Sequence, residues 1–251
     1  MSETRSLKDY PVAPADLRVL LWDIDGTLVR TARTGVFKDY TTPALLRIFG
    51  TAGRLHELSV SGMTDLQIVG EALRDEGFTT GDIAARAKEL GENFVAEFER
   101  MATATSEPLY FALPGGREVL NAVDAHPRYL SSLLTGNVEG AAYWKLRLVH
   151  LESFFRLPGA FGEDSHDRRD LPALAAARIN QHLTLDLSPA QFIVIGDTPN
   201  DVACAKHFGA RSVAVATGRS HSPRDLAACA PDALLHDLTD TDAVLHTLGN
   251  L

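Results

Sequence analysis

The sequence predicts an α/β fold, with a parallel sheet covered by helices on both faces and a small all-helical segment inserted after the first strand. Three observations carry this prediction. Short apolar runs recur along the chain, the first of them closed at once by Gly-Thr. Helix-patterned stretches separate the later runs. Residues 31–112 break that alternation, holding helical patterns and no buried strand.

The first run, 18–24 "RVLLWDI", is followed at once by Gly-Thr, as expected of a fully buried strand. Four more runs come much later: 129–134 "YLSSLL", 191–196 "QFIVIG", 211–215 "RSVAV" and 232–235 "DALL". Helices are expected at 115–125 after Pro114, at 138–150 after Gly-Asn, at 172–183 from Pro172, and at 199–208 from Pro199 to the stop at Gly209. Within 31–112 the helical patterns fall at 41–49, 64–76 and 80–104. The division is therefore a Rossmann-like core of residues 14–30 and 113–251 with an α-helical cap at 31–112. An insert at the carboxyl end of the first strand sits over the face where open α/β sheets bind ligands.

The bulk numbers restrict the function classes. The chain has 251 residues, of which 45% are apolar, so it can bury a sizeable core. Its formal net charge of −9 argues against a nucleic-acid surface. No apolar stretch is long enough for a membrane helix. The N-terminal "MSETRSLKDYPVAPADL" lacks the apolar core of a signal peptide and reads as a short arm. Cys204 and Cys229 lack metal-site spacing and read as reduced packing residues of a cytoplasmic protein. The nine histidines show no metal-ligand spacing either. Nothing marks a subunit interface.

Three strand ends carry chemistry. In "LWDIDGTLV" at 21–29, Asp23 and Asp25 are two residues apart, so in an extended segment both carboxylates emerge on one side. Adjacent carboxylates repel unless a shared proton or a cation intervenes, and a hard cation such as Mg²⁺ suits them. In "LLTGN" at 133–137, Thr135 and the N–H groups that follow at Gly136 and Asn137 can hold a phosphate oxygen. In "VIGDTPNDV" at 194–202, Asp197 ends a strand and Asp201 lies in the first turn of the next helix. An N-cap role accounts for one of those two acids but not for both.

"DIDGT", "LLTGN" and "GDTPND", in this order, resemble the first, second and fourth motifs of the haloacid dehalogenase superfamily. The resemblance spans about 18–235, and within the family it is greatest to phosphoglycolate-phosphatase-like enzymes. "SGMTDLQI" at 61–68 is similar to the G-x-T-D stretch of their caps. The resemblance implies a Mg²⁺-dependent phosphatase acting on a small phosphorylated metabolite through an aspartyl-phosphate. Asp23 would be the nucleophile, and Asp25 the acid and then the base. Asp23, the Asp25 backbone carbonyl and Asp197 would bind Mg²⁺, with Asp201 acting through water or by orienting its neighbours. Gly26, Thr27, Thr135, Gly136 and Asn137 would line the phosphate. Asp25 also favours phosphoryl transfer over carbon–halogen cleavage, because the dehalogenases lack it. The same scaffold serves phosphomutases and phosphotransferases, and these motifs do not choose the acceptor. A non-catalytic phosphate binder is disfavoured, since it has no use for a nucleophile and an acid together.

Two departures stand out. The third motif is commonly a lysine before a proline, whereas this region reads "FGEDSHDRRDLPALAAA" at 161–177. Alignment on Pro172 puts Arg169 in the lysine's place, with Arg168 and Lys145 as the other candidates. His166 shares that loop. Relatives often carry a basic residue where Met63 stands, so a less anionic or more apolar leaving group is expected. Thr64 and Asp65 are expected to cap the following helix. Arg30, Arg33, Phe37, Lys38 and Tyr40 follow the first motif, where a pocket wall would stand.

Overall fold

The computed structural model describes residues 12–251, so the N-terminal arm read at 1–17 lies outside the described residues up to residue 11. Five parallel strands form the main sheet: β1 (Arg18–Trp22), β4 (Tyr129–Leu133), β5 (Phe192–Gly196), β6 (Arg211–Val215) and β7 (Ala233–Leu235). Their order is β4-β1-β5-β6-β7. Every expected strand is present, within two residues at either end. β1 reads as a continuous apolar run because it is an interior strand, paired on both sides by β4 and β5: Val19, Leu20, Leu21 and Trp22 are fully buried. Successive side chains along it enter two different cores. Leu20 and Trp22 join one cluster, while Val19 and Leu21 join the other.

Helices α5 (Gly116–Ala125), α6 (Glu139–Leu148), α7 (Leu171–Leu183) and α8 (Pro199–Phe208) lie where the Pro and Gly punctuation put them. Two further helices, α9 (Pro223–Ala228) and α10 (Thr241–Gly249), complete the core and were not anticipated. Both are short and follow polar stretches, so apolar periodicity is weak there.

Between β1 and β4 the chain is helical, with α1 (Val36–Phe49), α2 (Asp65–Ala72), α3 (Thr80–Ala84) and α4 (Ala87–Thr103). The entry and exit of this segment are a two-stranded antiparallel ribbon, β2 (Val29–Thr31) and β3 (Tyr110–Ala112). Three-residue strands carry no readable alternation, which is why the sequence did not show them. Tyr40 of α1 packs on Phe94 and Phe98 of α4. Phe98 in turn stacks on Trp144 of α6 at 4.6 Å, joining the helical segment to the sheet's own helices. Among the described residues no helix is long and apolar enough to cross a membrane.

Candidate active site

Asp23 follows β1, Thr135 lies just beyond β4 and Asp197 follows β5. These strands are neighbours in the sheet, so residues far apart in sequence meet at one edge. The ladder continues to the site itself: the Asp23 N–H donates to the Ile195 carbonyl at 2.9 Å, and Leu134 N–H to the Trp22 carbonyl at 2.8 Å.

A tight loop carries the chain out of β1. The Gly26 N–H bonds the Val29 carbonyl at 2.8 Å, and Gly26 has φ of +87°. The Asp197 carboxylate rests against the Cα atoms of Gly26 and Gly218, and a Cβ at either position would overlap it. These two glycines form a cradle sized for a carboxylate. Oxygens of Asp23, Asp197 and Asp201 lie within 4.8 Å of one another, and all three residues are buried. Burial pushes the Asp23 carboxyl up to about 7, with Asp201 and Asp25 adding to the rise and Arg168 opposing it. Burial, then Asp23 and Asp201, hold the Asp197 carboxyl well above the ordinary carboxylate range. Among the described residues a single guanidinium meets this cluster and leaves negative charge uncompensated, and the donor set is all oxygen, so the residues fit a hard divalent cation.

That guanidinium belongs to Arg168. Its Nη2 donates to Asp23 Oδ1 at 3.0 Å and to Asp201 Oδ1 at 2.6 Å. Burial works against the Arg168 charge, but Asp201 and Asp23 together more than reverse this and raise its pKa. Asp201 is otherwise engaged. Its Oδ2 accepts from the Thr198 N–H at 2.9 Å and the Thr198 hydroxyl at 2.7 Å, the capping box that starts α8. Asp201 therefore fixes Arg168 and the helix start, and it does not line the cavity.

The alignment on Pro172 is corrected here: Arg169 is not the cation of the site. It is exposed and turns back onto Asp167, donating from Nη2 at 2.6 Å. The 3-10 turn at Arg168–Asp170 forces the two arginines to opposite sides, and Asp167 caps that turn by accepting from the Arg169 N–H. Thr27 is a second correction. It is fully buried, absent from the cavity wall, and its hydroxyl points to Asp197 Oδ1 at 3.4 Å, so it faces that carboxylate instead of open space for phosphate.

On the opposite side of the site, Lys145 donates to Asp25 Oδ2 and to Asn137 Oδ1, each at 2.6 Å. The Asn137 amide donates to Asp25 Oδ2 and to Thr135 Oγ1, each at 2.7 Å. Thr135 Oγ1 also accepts from the Asn137 N–H at 3.3 Å, which leaves its own O–H to donate.

Asp23, Asp25, Gly26, Thr135, Gly136, Asn137, Lys145, Arg168 and Asp197 all line one cavity of about 370 Å³. Phe37, Val60, Met63 and Ile68 give it an apolar wall. Arg30 lines it and bonds the Thr217 carbonyl. Arg33 and Lys38 lie elsewhere, paired with Asp39 and the His56 carbonyl, and Tyr40 is core. A larger cavity of about 570 Å³, between α2, α3 and residues 166–169, holds Arg169 and His166 but none of the strand-end carboxylates.

The loop before α2 is clamped over the site. Thr64 caps α2 as expected, accepting from the Gln67 N–H at 3.1 Å. Asp65 does something else: its N–H donates to the Gly136 carbonyl at 2.7 Å, and its carboxylate accepts from the Val138 N–H at 2.8 Å. It thus grips both sides of Asn137. Burial pushes the Asp65 carboxyl up to about 7, against the Val138 N–H and Lys145. Sequence reasoning missed this role, because an acid at the first position of a helix looks like ordinary capping.

Comparisons with known proteins bear on the fold that carries these residues. Residues 171–241 match the HAD-hydrolase-like family. A haloacid dehalogenase-like hydrolase from Streptococcus pneumoniae superposes with TM-score 0.55 at 18% identity, covering 92% of this chain and 99% of the other. The fold is that of the haloacid dehalogenase superfamily. Two further solved structures are similar in fold. A predicted phosphatase from Clostridium acetobutylicum has TM-score 0.64 at 16% identity, with 94% and 99% of the two chains covered. A β-phosphoglucomutase from Clostridium difficile has TM-score 0.62 at 14% identity, with 93% and 98% covered. No curated protein matches the sequence significantly. The family match begins after Arg168, so the first two motifs enter the haloacid dehalogenase comparison through the fold and their place in it.

Proposed function

We propose that the protein is a Mg²⁺-dependent phosphatase that hydrolyses a small phosphorylated metabolite through an aspartyl-phosphate at Asp23. One observation carries the reading: two carboxylates just beyond β1, Asp23 and Asp25, share a cavity with separate cations, Arg168 beside the first and Lys145 beside the second.

Asp23 and Asp197 have the carboxylates, and Asp25 the backbone carbonyl, that would hold Mg²⁺. When bound, the ion offsets the charge of the carboxylates and of the phosphoryl group. Arg168 holds Asp23 Oδ1, so the second oxygen of Asp23 is the one presented for attack on phosphorus. The Thr135 hydroxyl and the N–H groups at the start of α6 are donors for the phosphoryl oxygens as charge builds in the transition state. Asp25 stands at the open side of the site and can give a proton to the leaving oxygen, then take one from the water that cleaves the acyl-phosphate. The cavity of about 370 Å³ suits a small metabolite.

The test is phosphate release over a panel of phosphorylated metabolites, with EDTA and Asp23→Asn as controls and product analysis for transfer to a second hydroxyl. Release that survives EDTA, or survives Asp23→Asn, overturns the reading.

A further inference from the structure

Lys145 is 3% exposed, yet no carboxylate of the metal cluster touches it. Its partners are Asp25 and the Asn137 side-chain carbonyl. The reach follows from helix geometry. Lys145 lies two turns into α6, and helical side chains lean toward the N-terminus, so the ammonium comes back to the loop that precedes the helix. The ammonium also lies 5.3 Å from the centre of the Tyr110 ring. Tyr110 belongs to β3, the strand by which the chain leaves the helical segment.

Three hydrogen bonds close a triangle. Lys145 and Asn137 both donate to the same oxygen, Asp25 Oδ2, and Lys145 donates to Asn137 Oδ1. The last bond fixes which way the Asn137 amide faces, so that its nitrogen is turned to Asp25. With Oδ2 occupied twice, Oδ1 is the oxygen Asp25 presents to the cavity. A cation that served to bind phosphate would keep its donors free for the ligand, and two of the three donors of Lys145 are spent on Asp25 and Asn137.

We propose that Lys145 is the positioning residue of Asp25: with Asn137 it clamps Oδ2 and so aims Oδ1 at the leaving oxygen, while Arg168 serves Asp23. The two cations divide one duty between the attacking and the proton-transferring carboxylate. This inference rests on the phosphatase reading for its kinetic test and on geometry alone for its structural one.

The test compares wild type with Lys145→Met, which keeps the stem and removes the donors. The substrates are propyl phosphate, whose alkoxide needs a proton to leave, and p-nitrophenyl phosphate, whose phenolate does not. The readout is kcat/KM, which reports the step that expels the leaving group. Lys145→Met is expected to lose roughly 100-fold or more on propyl phosphate and no more than about 10-fold on p-nitrophenyl phosphate, the range of a lost proton transfer. Competitive inhibition by inorganic phosphate is expected to stay within about threefold, because a positioning role leaves phosphate affinity alone. In a crystal structure of Lys145→Met the Asp25 carboxyl turns off its present position and the Arg168–Asp23 contact persists. Equal losses on both esters, matched by a loss of phosphate affinity, would make Lys145 a phosphate ligand and overturn the proposal. So would an unmoved Asp25. If wild type hydrolyses neither ester, that outcome bears on ester preference and leaves the phosphatase reading to the metabolite panel, and the position of Asp25 in the variant still decides the role of Lys145. Lys145→Leu, which also lacks donors, replaces the Met variant throughout if the latter does not fold.

Discussion

The Arg168 guanidinium lies 3.0 Å from the Asp23 carboxylate, with both side chains buried. The neighbouring Arg169 faces solvent and Asp167. Arg168→Ala is therefore expected to lower kcat by about 100-fold or more, as loss of a charge-stabilising donor does. It also lowers the melting temperature, since it strands Asp23 and Asp201 in the interior. Arg169→Ala is expected to leave both unchanged. Parallel assays and melting curves of the two variants check this, and a larger effect at Arg169 would reverse the assignment.

Asp23→Asn is expected to abolish turnover with the fold intact, because the amide is no nucleophile. Circular dichroism matching wild type, with no phosphate release, is the outcome that fits. Substantial residual release would remove the covalent mechanism.

Among the described residues Asp197 sits in its two-glycine cradle with no cationic side chain paired to it. In EDTA at pH 8, Asp197→Asn is expected to melt higher than wild type, because it removes a buried charge. Saturating Mg²⁺ is expected to raise wild-type stability by about 2.7 kcal/mol at a hundredfold excess over Kd, and not that of the variant. Gly218→Ala, which drives a Cβ into the Asp197 carboxylate, is expected to lose most of the Mg²⁺ shift. Scanning fluorimetry with and without Mg²⁺ reads all three.

Asp65 supplies a pH dependence. Its carboxyl is pushed up to about 7 in the folded chain, chiefly by burial. The unfolded value is about 3.9, so between these pH values the folded state binds more protons and stability falls as pH rises. Asp65→Asn keeps an acceptor for the Val138 N–H and removes this penalty. The melting temperature of the variant minus that of wild type is expected to be larger at pH 8 than at pH 5. Taking the difference cancels the other buried acids, and a constant difference across that range contradicts the assigned burial.

Much of the fold was legible because its signals are local. Short apolar runs marked all five sheet strands, three of them closed by Gly, Asp or Thr, and Pro and Gly marked the helices between them. The β2–β3 ribbon was not legible: it pairs Val29–Thr31 with Tyr110–Ala112, across the whole helical segment, and neither strand is long enough to show a pattern. The candidate site divides the same way. Asp23, Asp25, Thr135 and Asp197 stand out because polar groups at the ends of buried strands need a reason. Arg168 and Arg169 do not separate, because adjacent basic residues look alike until a backbone turn assigns them sides.

The sequence by itself determined the alternation of strand and helix, the placement of a helical insert over the strand ends, and the carboxylates that the strand ends carry. These follow from periodicity, punctuation and the cost of like charges at neighbouring positions. Only the tertiary structure decided which partner each carboxylate has. Asp23 meets Arg168, Asp25 meets Lys145 and Asn137, Asp197 meets the glycine cradle, and Asp65 meets the turn around Asn137. Such pairings depend on strand order and on which side of a turn a side chain leaves. Those are properties of the packed chain, and no local stretch of it contains them.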